Sequence, residues 1–390
     1  MAKSMEIMAE EIAAQAKVFE LFGPDIIKQV KNIFAKTDLA TKIDRLYITG
    51  CGDSYLAGLA CRDMVVKYAK IRVEVYQALE FSRYVCPNEV DEKAVVLSIS
   101  SSGKVARTVE CALRAKEKNA ISIGITRDTE SKLAQTANEN IVVQIPDSIG
   151  VAPGTQSYIA SQLGIICFAV VLGLERNVLN HEEADQIFDY IAEMGSAMKL
   201  TVEGNFELIK KYIDTYTDEN NPNRIKIFHI LGGGPNWGTA QFGSMKLLEA
   251  TGFDSVPQGI EEWAHSQYFT TKPGTHVLLL APRGESRDRA LEVLQAVGVM
   301  DGKKIVIGEA GDDELARAAD IYLPIVGVEN IKEEFSQLIY PIPLELIALH
   351  LSDVLGVTPF DFMSKPWRKT ENFRQIFGSK IIPLAEKNES

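Results

Sequence analysis

The chain has 390 residues, room for two or three domains of about 150 residues each, and its 46% hydrophobic and 24% charged content excludes disordered, collagen-like and coiled-coil classes. Its formal charge of −12, with no Lys/Arg-rich block, excludes nucleic acid as the expected partner. The longest apolar run, Leu163 to Leu174, contains glycines and is too short for a bilayer, so a buried helix and no membrane partner are expected.

Taken in chain order, the pattern predicts an N-terminal helix over 1–24, with Glu6, Glu10 and Glu11 where a signal peptide would be basic. Residues 45–49 read as an apolar strand ending at Gly50, followed by a helix from Ser54 to Ala69. Strands are then predicted at 71–76, 94–99, 120–125 and 141–145, separated by a helix or turn at 78–84 and helices at 104–118 and 129–137. A helical stretch over 155–215 leads to a strand at 225–231 ending at Gly232, a helix from about Asn236 to Thr251, and strands near 276–281, 303–308 and 320–324. Strands alternating with helices of this length predict doubly wound parallel sheets covered on both faces.

The later half repeats the earlier one. One and the same step along the chain leads from Gly50 to Gly232, from Glu80 to Glu262 (each before an aromatic residue) and from Val95 to Val277; nearly the same step leads from Gly124 to Gly308. A held spacing of this kind predicts a tandem duplication. The expected division is a first domain over 25–200, a second over 201–350, and a tail over 351–390.

The copies differ after their third strand. The first reads Ser100-Ser101-Ser102-Gly103, with Lys104 following; the second reads Pro282-Arg283-Gly284-Glu285. Small hydroxyls between a strand and a helix start suit an anion, since backbone N–H groups there lack partners. Gly50-Cys51-Gly52-Asp53-Ser54 lies beside that loop in this topology and offers Ser54. Serine runs also make ordinary turns and caps, and that reading stays open. A dinucleotide fingerprint fails in both copies, because Tyr55 and Trp237 fall where its third glycine belongs, although Glu74 is suitably placed. The five cysteines (51, 61, 86, 111, 167) form no CxxC, and the five histidines (181, 229, 265, 276, 350) show no HxH or HxxxH spacing. Neither a disulfide scaffold, a metal site nor a cofactor is expected, and a reducing cytoplasm is.

These residues resemble the sugar isomerase (SIS) family, in its double-SIS form: the isomerase half of glutamine–fructose-6-phosphate transaminases, the fructosamine-6-phosphate deglycases and the SIS-type glucosamine-6-phosphate deaminases. The resemblance covers about residues 25–350. It implies two tandem flavodoxin-like SIS domains and a phosphate site at Ser54, Ser100, Ser101, Ser102 and Gly103, with Val105 where the family has threonine. The family's K-x-x-E falls on Lys246 and Glu249, and its ring-opening histidine on His265. Further substrate-contact candidates are Gly52, Asp53, Val151, Ala152, Glu262 and Lys365, with Lys369 an alternative to the last. No glutaminase domain precedes the SIS pattern, which points away from glutamine as nitrogen donor. In the resembling families the histidine comes from a neighbouring subunit, so a homodimer is implied.

The chemistry fits these residue types. Moving a carbonyl between C1 and C2 needs one carboxylate to shuttle a proton, the role expected of Glu249. Lys246, at i−3, suits stabilisation of the enolate oxygen, and His265 titrates near neutrality as ring opening requires. Glu262 is expected to orient His265. An ordinary surface pair for Lys246 and Glu249, and a plain loop histidine for His265, remain the alternatives without the family. Trp263 and Tyr268 are expected to pack. The segment Phe360 to Gly378 reads as a lid or as packing across a subunit. The expected function is a phosphosugar enzyme for amine gain or loss on a hexose 6-phosphate; the alternative is a SIS protein that senses a sugar phosphate without turning it over.

Overall fold

The structure, a computed structural model, describes residues 3–147, 150, 152–359 and 378–384. In chain order it contains α1 (Lys3–Leu21), α2 (Pro24–Lys36), α3 (Leu39–Lys42), β1 (Arg45–Gly50), α4 (Asp53–Ala69), β2 (Arg72–Gln77), α5 (Ala78–Glu80), a π-helical turn (Phe81–Val85), α6 (Cys86–Glu89), β3 (Ala94–Ile99), α7 (Ala106–Glu117), β4 (Ile121–Thr126), α8 (Lys132–Thr136) and β5 (Glu139–Val142). It continues with α9 (Gln156–Glu175), α10 (His181–Thr217), β6 (Ile227–Gly232), α11 (Pro235–Thr251), β7 (Ser255–Gly259), α12 (Ile260–Trp263), β8 (Thr275–Ala281), α13 (Arg287–Val299), β9 (Lys303–Glu309), α14 (Asp313–Ala318), β10 (Ile321–Ile325) and α15 (Pro341–Val354).

The chain divides into two compact units. The first takes residues 18–146 and 157–190 with the described C-terminal residues; the second takes residues up to 17, the described part of 147–156, and the chain from 191 to the end of its described run. The division thus departs from a cut near residue 200. It falls inside α1 and α10, and both units are assembled from separated stretches.

In the first unit the sheet order is β2-β1-β3-β4-β5, parallel throughout. Every residue of β3 is buried, which is why Ala94–Ile99 reads as an unbroken apolar run. The order reverses between β1 and β3, so their carboxyl ends bound a crevice, the usual ligand position in open α/β sheets. Several boundaries differ from the sequence expectation by one to three residues, two of them with a visible cause. α7 starts at Ala106 rather than 104, because Gly103 turns the chain at φ +62° first. β5 starts at Glu139 rather than 141, after the short α8 capped by the Ser131 hydroxyl.

The second unit repeats this order as β7-β6-β8-β9-β10. β7 is absent from the sequence reading: its SVPQG carries no apolar alternation, and Pro257 is tolerated because β7 is an edge strand paired only with β6. The step that separates Gly50 from Gly232 also separates the starts of α5 and α12, of β4 and β9, and of β5 and β10. Gly124 and Gly308 are not counterparts, however. Gly124 pairs with Ser98, whereas Leu280, the counterpart of Ser98 at that step, pairs with Ile307. The predicted single helical stretch is two helices, α9 and α10. α9 is long and apolar enough to cross a membrane by length and composition, and 89% of its most apolar window is buried within the protein.

Candidate functional site

In the first unit, Gly52 caps α4 at φ 56° and starts the helix at Asp53; a Cβ on Gly50 would lie 2.8 Å from that of Ser54, so the loop must pass close to the helix start. In the serine loop the backbone is tied inward. The Ser100 N–H donates to the Ile125 carbonyl (3.0 Å), the Gly103 N–H to the Ser100 carbonyl (2.9 Å), and the Arg127 N–H to the Ser101 carbonyl (3.0 Å). Ser102 Oγ accepts from the Lys104 N–H (3.3 Å), and the Lys104 side chain is exposed. Ser100 is 2% exposed, yet its hydroxyl has no partner among the described residues. An unpaired buried hydroxyl is costly, and an oxyanion ligand would satisfy it. Ser54, Ser101 and Ser102 are half-buried, as is Asp53 at the first position of α4, while Gly52 before it is exposed.

Arg107, which the sequence reading passes over, lies in the first turn of α7. Its Nη1 donates to Glu110, while Nε and Nη2 are buried with no partner among the described residues. Glu110 also receives Arg83 (3.0 Å) and the Ile382 N–H (2.9 Å).

In the second unit, α11 is built for close packing. Gly243 admits Leu344 of α15, whose Cδ1 would sit 2.4 Å from a Cβ at that position. The fit buries Lys246, whose side chain is 0% exposed. Its Nζ donates to Glu249 Oε2 at 2.5 Å and to the Gly154 carbonyl at 3.2 Å, and lies 4.9 Å from the centre of the Phe242 ring. Lys246 and Glu249 are therefore a pair with one buried member, not an ordinary surface pair. Ala152 is half-buried near Gly154 in sequence; Val151, Lys365 and Lys369 lie outside the described residues, as does the proposed lid apart from Gly378.

His265 follows α12 and its side chain is 66% exposed. The expectation that Glu262 orients it is corrected. Glu261, one turn back at i−4, faces Nε2 at 3.2 Å and also accepts Arg289 Nε at 2.6 Å. Glu262 is exposed, and its carbonyl accepts the Ser266 hydroxyl (2.6 Å). Trp263 packs in the core as expected and donates to His229 Nδ1 (3.3 Å), while Tyr268 meets its edge with ring centres 5.9 Å apart and is partly exposed.

The loop matching the serine loop is already supplied with negative charge. The Arg283 N–H donates to Glu309 (3.0 Å) and the Glu285 N–H to Glu333 (3.0 Å). A cleft of about 500 Å³ in the same unit is lined by Gly233, Trp237, Gln258, Glu261, Ser286 and Arg289 among others. Backbone donors filled by the chain's own carboxylates are closed to an external anion. The first unit alone of the two has a hydroxyl-rich third loop, which the divergence between the copies led one to expect.

The SIS domain model matches residues 39–169, the sheet and serine loop of the first unit. A glutamine–fructose-6-phosphate aminotransferase (isomerizing) of Clostridium tetani is 28% identical over 354 residues, covering 88% of this chain and 55% of the relative. The chain thus spans about half the length of the curated relatives it matches. Among solved structures, the C-terminal domain of glucosamine–fructose-6-phosphate aminotransferase from Francisella tularensis superposes with a TM-score of 0.79 at 22% identity, covering 91% of this chain and 97% of that one. Tagatose-6-phosphate ketose/aldose isomerase from Escherichia coli gives a TM-score of 0.72 at 16% identity, covering 92% and 95%. At those identities the structural likeness bears on the fold, an α/β fold with two parallel five-stranded sheets of SIS type. Residues 39–169 thus match the SIS domain family, and the chain is similar over most of its length to proteins built on that fold.

Proposed function

We propose that the chain is a phosphosugar enzyme that moves hydrogen between C1 and C2 of a hexose 6-phosphate, coupled to gain or loss of an amine. The observation that carries this reading is the Lys246–Glu249 pair: a fully buried ammonium 2.5 Å from a carboxylate that keeps 23% exposure. A carboxylate so placed is suited to remove the C2 proton of the open-chain sugar and return it to C1 through an enediol or enolamine, leaving net charge unchanged. The ammonium stabilises the oxyanion that forms meanwhile. The phosphate would be held by Ser54, Ser100, Ser101, Ser102 and the Gly103 turn. His265, exposed and tied to Glu261, is proposed to serve ring opening from a second copy of the chain, in a cytoplasmic homodimer. The similarity to aminotransferases and ketose/aldose isomerases supports sugar phosphate as the substrate class.

The test is incubation with glucosamine 6-phosphate, with fructose 6-phosphate plus ammonia, and with a fructosamine 6-phosphate, reading ammonia or amine. One of the three should turn over, and Glu249→Gln should lower its rate by about 10²–10⁴-fold while sugar-phosphate affinity survives. Unchanged turnover in Glu249→Gln removes that residue from the mechanism. Tight binding with no turnover of any sugar contradicts the enzyme and leaves a sensor.

A further inference from the structure

We propose that Arg107 is a further anion-binding residue of the serine loop, its guanidinium taking phosphate oxygens of the same sugar phosphate. The inference rests on the phosphosugar reading above and deepens it. Arg107 is the second residue of α7, shortly beyond Gly103. Its side chain is 13% exposed, and one nitrogen, Nη1, is held by Glu110. The Nε–Nη2 edge, the side of a guanidinium that matches two oxygens of a carboxylate or phosphate, is buried and has no acceptor among the described residues. A buried cationic edge is ordinarily paired, so a missing acceptor points to an anionic ligand. Arg107 also lies close enough to the first loop for its charge to act on Cys51, where it opposes the upward push of burial on that thiol.

The second unit supplies the comparison. Arg289 and Glu292 are the counterparts of Arg107 and Glu110 at the step that relates Gly232 to Gly50, and Arg289 Nη1 likewise donates to Glu292, at 2.6 Å. There the Nε is occupied, by Glu261 at 2.6 Å. The counterpart of Glu261 in the first unit is Leu79, whose side chain cannot accept a hydrogen bond. The same arginine is thus neutralised by two carboxylates in the unit whose loop donors are filled. In the unit whose loop carries the unpaired Ser100 hydroxyl, its Nε–Nη2 edge has no acceptor among the described residues. Glu110 acts as the positioning residue: it holds Nη1 while Arg83 and the Ile382 N–H fix its own oxygens.

The experiment is isothermal titration of the full chain with fructose 6-phosphate and, separately, with inorganic phosphate. Arg107→Gln should weaken both by about tenfold to a hundredfold. Arg107→Lys should recover only part of the loss, since an ammonium lacks the fork. Leu79→Glu, a change at an exposed side chain, restores the acid present in the other unit and should weaken both probes without altering the thermal midpoint. Arg289→Gln should leave both affinities unchanged. Ser100→Ala separates the two levels of the account. If Ser100→Ala weakens binding while Arg107→Gln and Leu79→Glu do not, the Arg107 assignment is overturned and the serine cradle stands. If the unmodified chain binds neither probe, or Ser100→Ala has no effect, the phosphosugar reading itself fails.

Discussion

Gly103 sits at φ +62°, and a Cβ there would lie 2.0 Å from Ser131 Oγ and 3.0 Å from Thr126 Oγ1. The left-handed backbone alone costs a non-glycine residue about 1–2 kcal/mol, and the contact adds to that. Gly103→Ala should lower the melting temperature by several degrees and abolish sugar-phosphate binding, since the serines before it take their positions from this turn; a variant that melts and binds like the parent would show the turn to be dispensable. His276 makes a different prediction. Asn223 offers only a carbonyl, so Nε2 carries the hydrogen and donates to it at 2.9 Å, leaving Nδ1 to accept from the Tyr212 hydroxyl at 2.8 Å. Burial pushes the imidazole down to about 4 from an ordinary 6.5, and burial does the same to His229. Between pH 6.5 and 4 the unfolded chain binds protons that the folded chain refuses. Stability should therefore be constant with respect to these groups above that window and fall as pH drops through it, and His276→Gln should make the slope shallower in melts taken from neutral pH down through the window. The Lys246–Glu249 pairing was legible as an i,i+3 spacing, but spacing cannot distinguish a surface pair from a buried one. Burial of Lys246 is set by Gly243 and Leu344, which are far apart in sequence.

α7 shows how an element joins remote parts of one unit. The described C-terminal residues lie along it: Arg114 Nε and Nη2 donate to the Ile382 carbonyl at 3.0 and 2.8 Å, and the Leu384 N–H donates to Glu117 at 2.9 Å. Burial alone would raise the Glu110 carboxyl, but Arg83, the Ile382 N–H, Arg107 and Arg114 outweigh it and hold the group below the usual carboxylate range. A chain ending at residue 377 loses these bonds. It should melt lower and exchange the amides of α7 faster, whereas unchanged protection of α7 would make the docked segment incidental. None of this is legible in sequence, because Glu110 and its C-terminal partner lie 272 residues apart. The central strands were legible, since β3 and β8 are buried on both faces and read as apolar runs. β7 was not, for Pro257 and Gly259 disguise an edge strand. Glu262 is three residues before His265, a spacing that suggests one turn; in the single turn of α12 it is the i,i+4 pair with Glu261 that closes.

Across the whole molecule, the two sheets share one strand order, and a single step along the chain relates Gly50 to Gly232, β4 to β9 and β5 to β10. We read this as duplication followed by division of labour. In one unit the Ser100 hydroxyl and the Nε–Nη2 edge of Arg107 have no partner among the described residues, while the other meets the corresponding donors with Glu309, Glu333 and Glu261 and carries the buried Lys246 beside Glu249. The held spacing was visible in the sequence and set the serine loop against its counterpart at Pro282–Glu285, while Lys246 and Glu249 were singled out by the family resemblance. The different pairing of Arg107 and Arg289 was not, because it depends on which carboxylates the fold brings to each guanidinium.

The most direct test of the chemistry is hydrogen exchange into substrate. The full chain is incubated in D₂O with glucosamine 6-phosphate, fructose 6-phosphate or a fructosamine 6-phosphate, and the recovered sugar phosphate is weighed by mass spectrometry. One deuterium should enter at C1 or C2 of at least one of them, and Glu249→Gln should abolish it. No deuterium in any of the three, or undiminished uptake with Glu249→Gln, would contradict a carboxylate-driven enolisation on this chain.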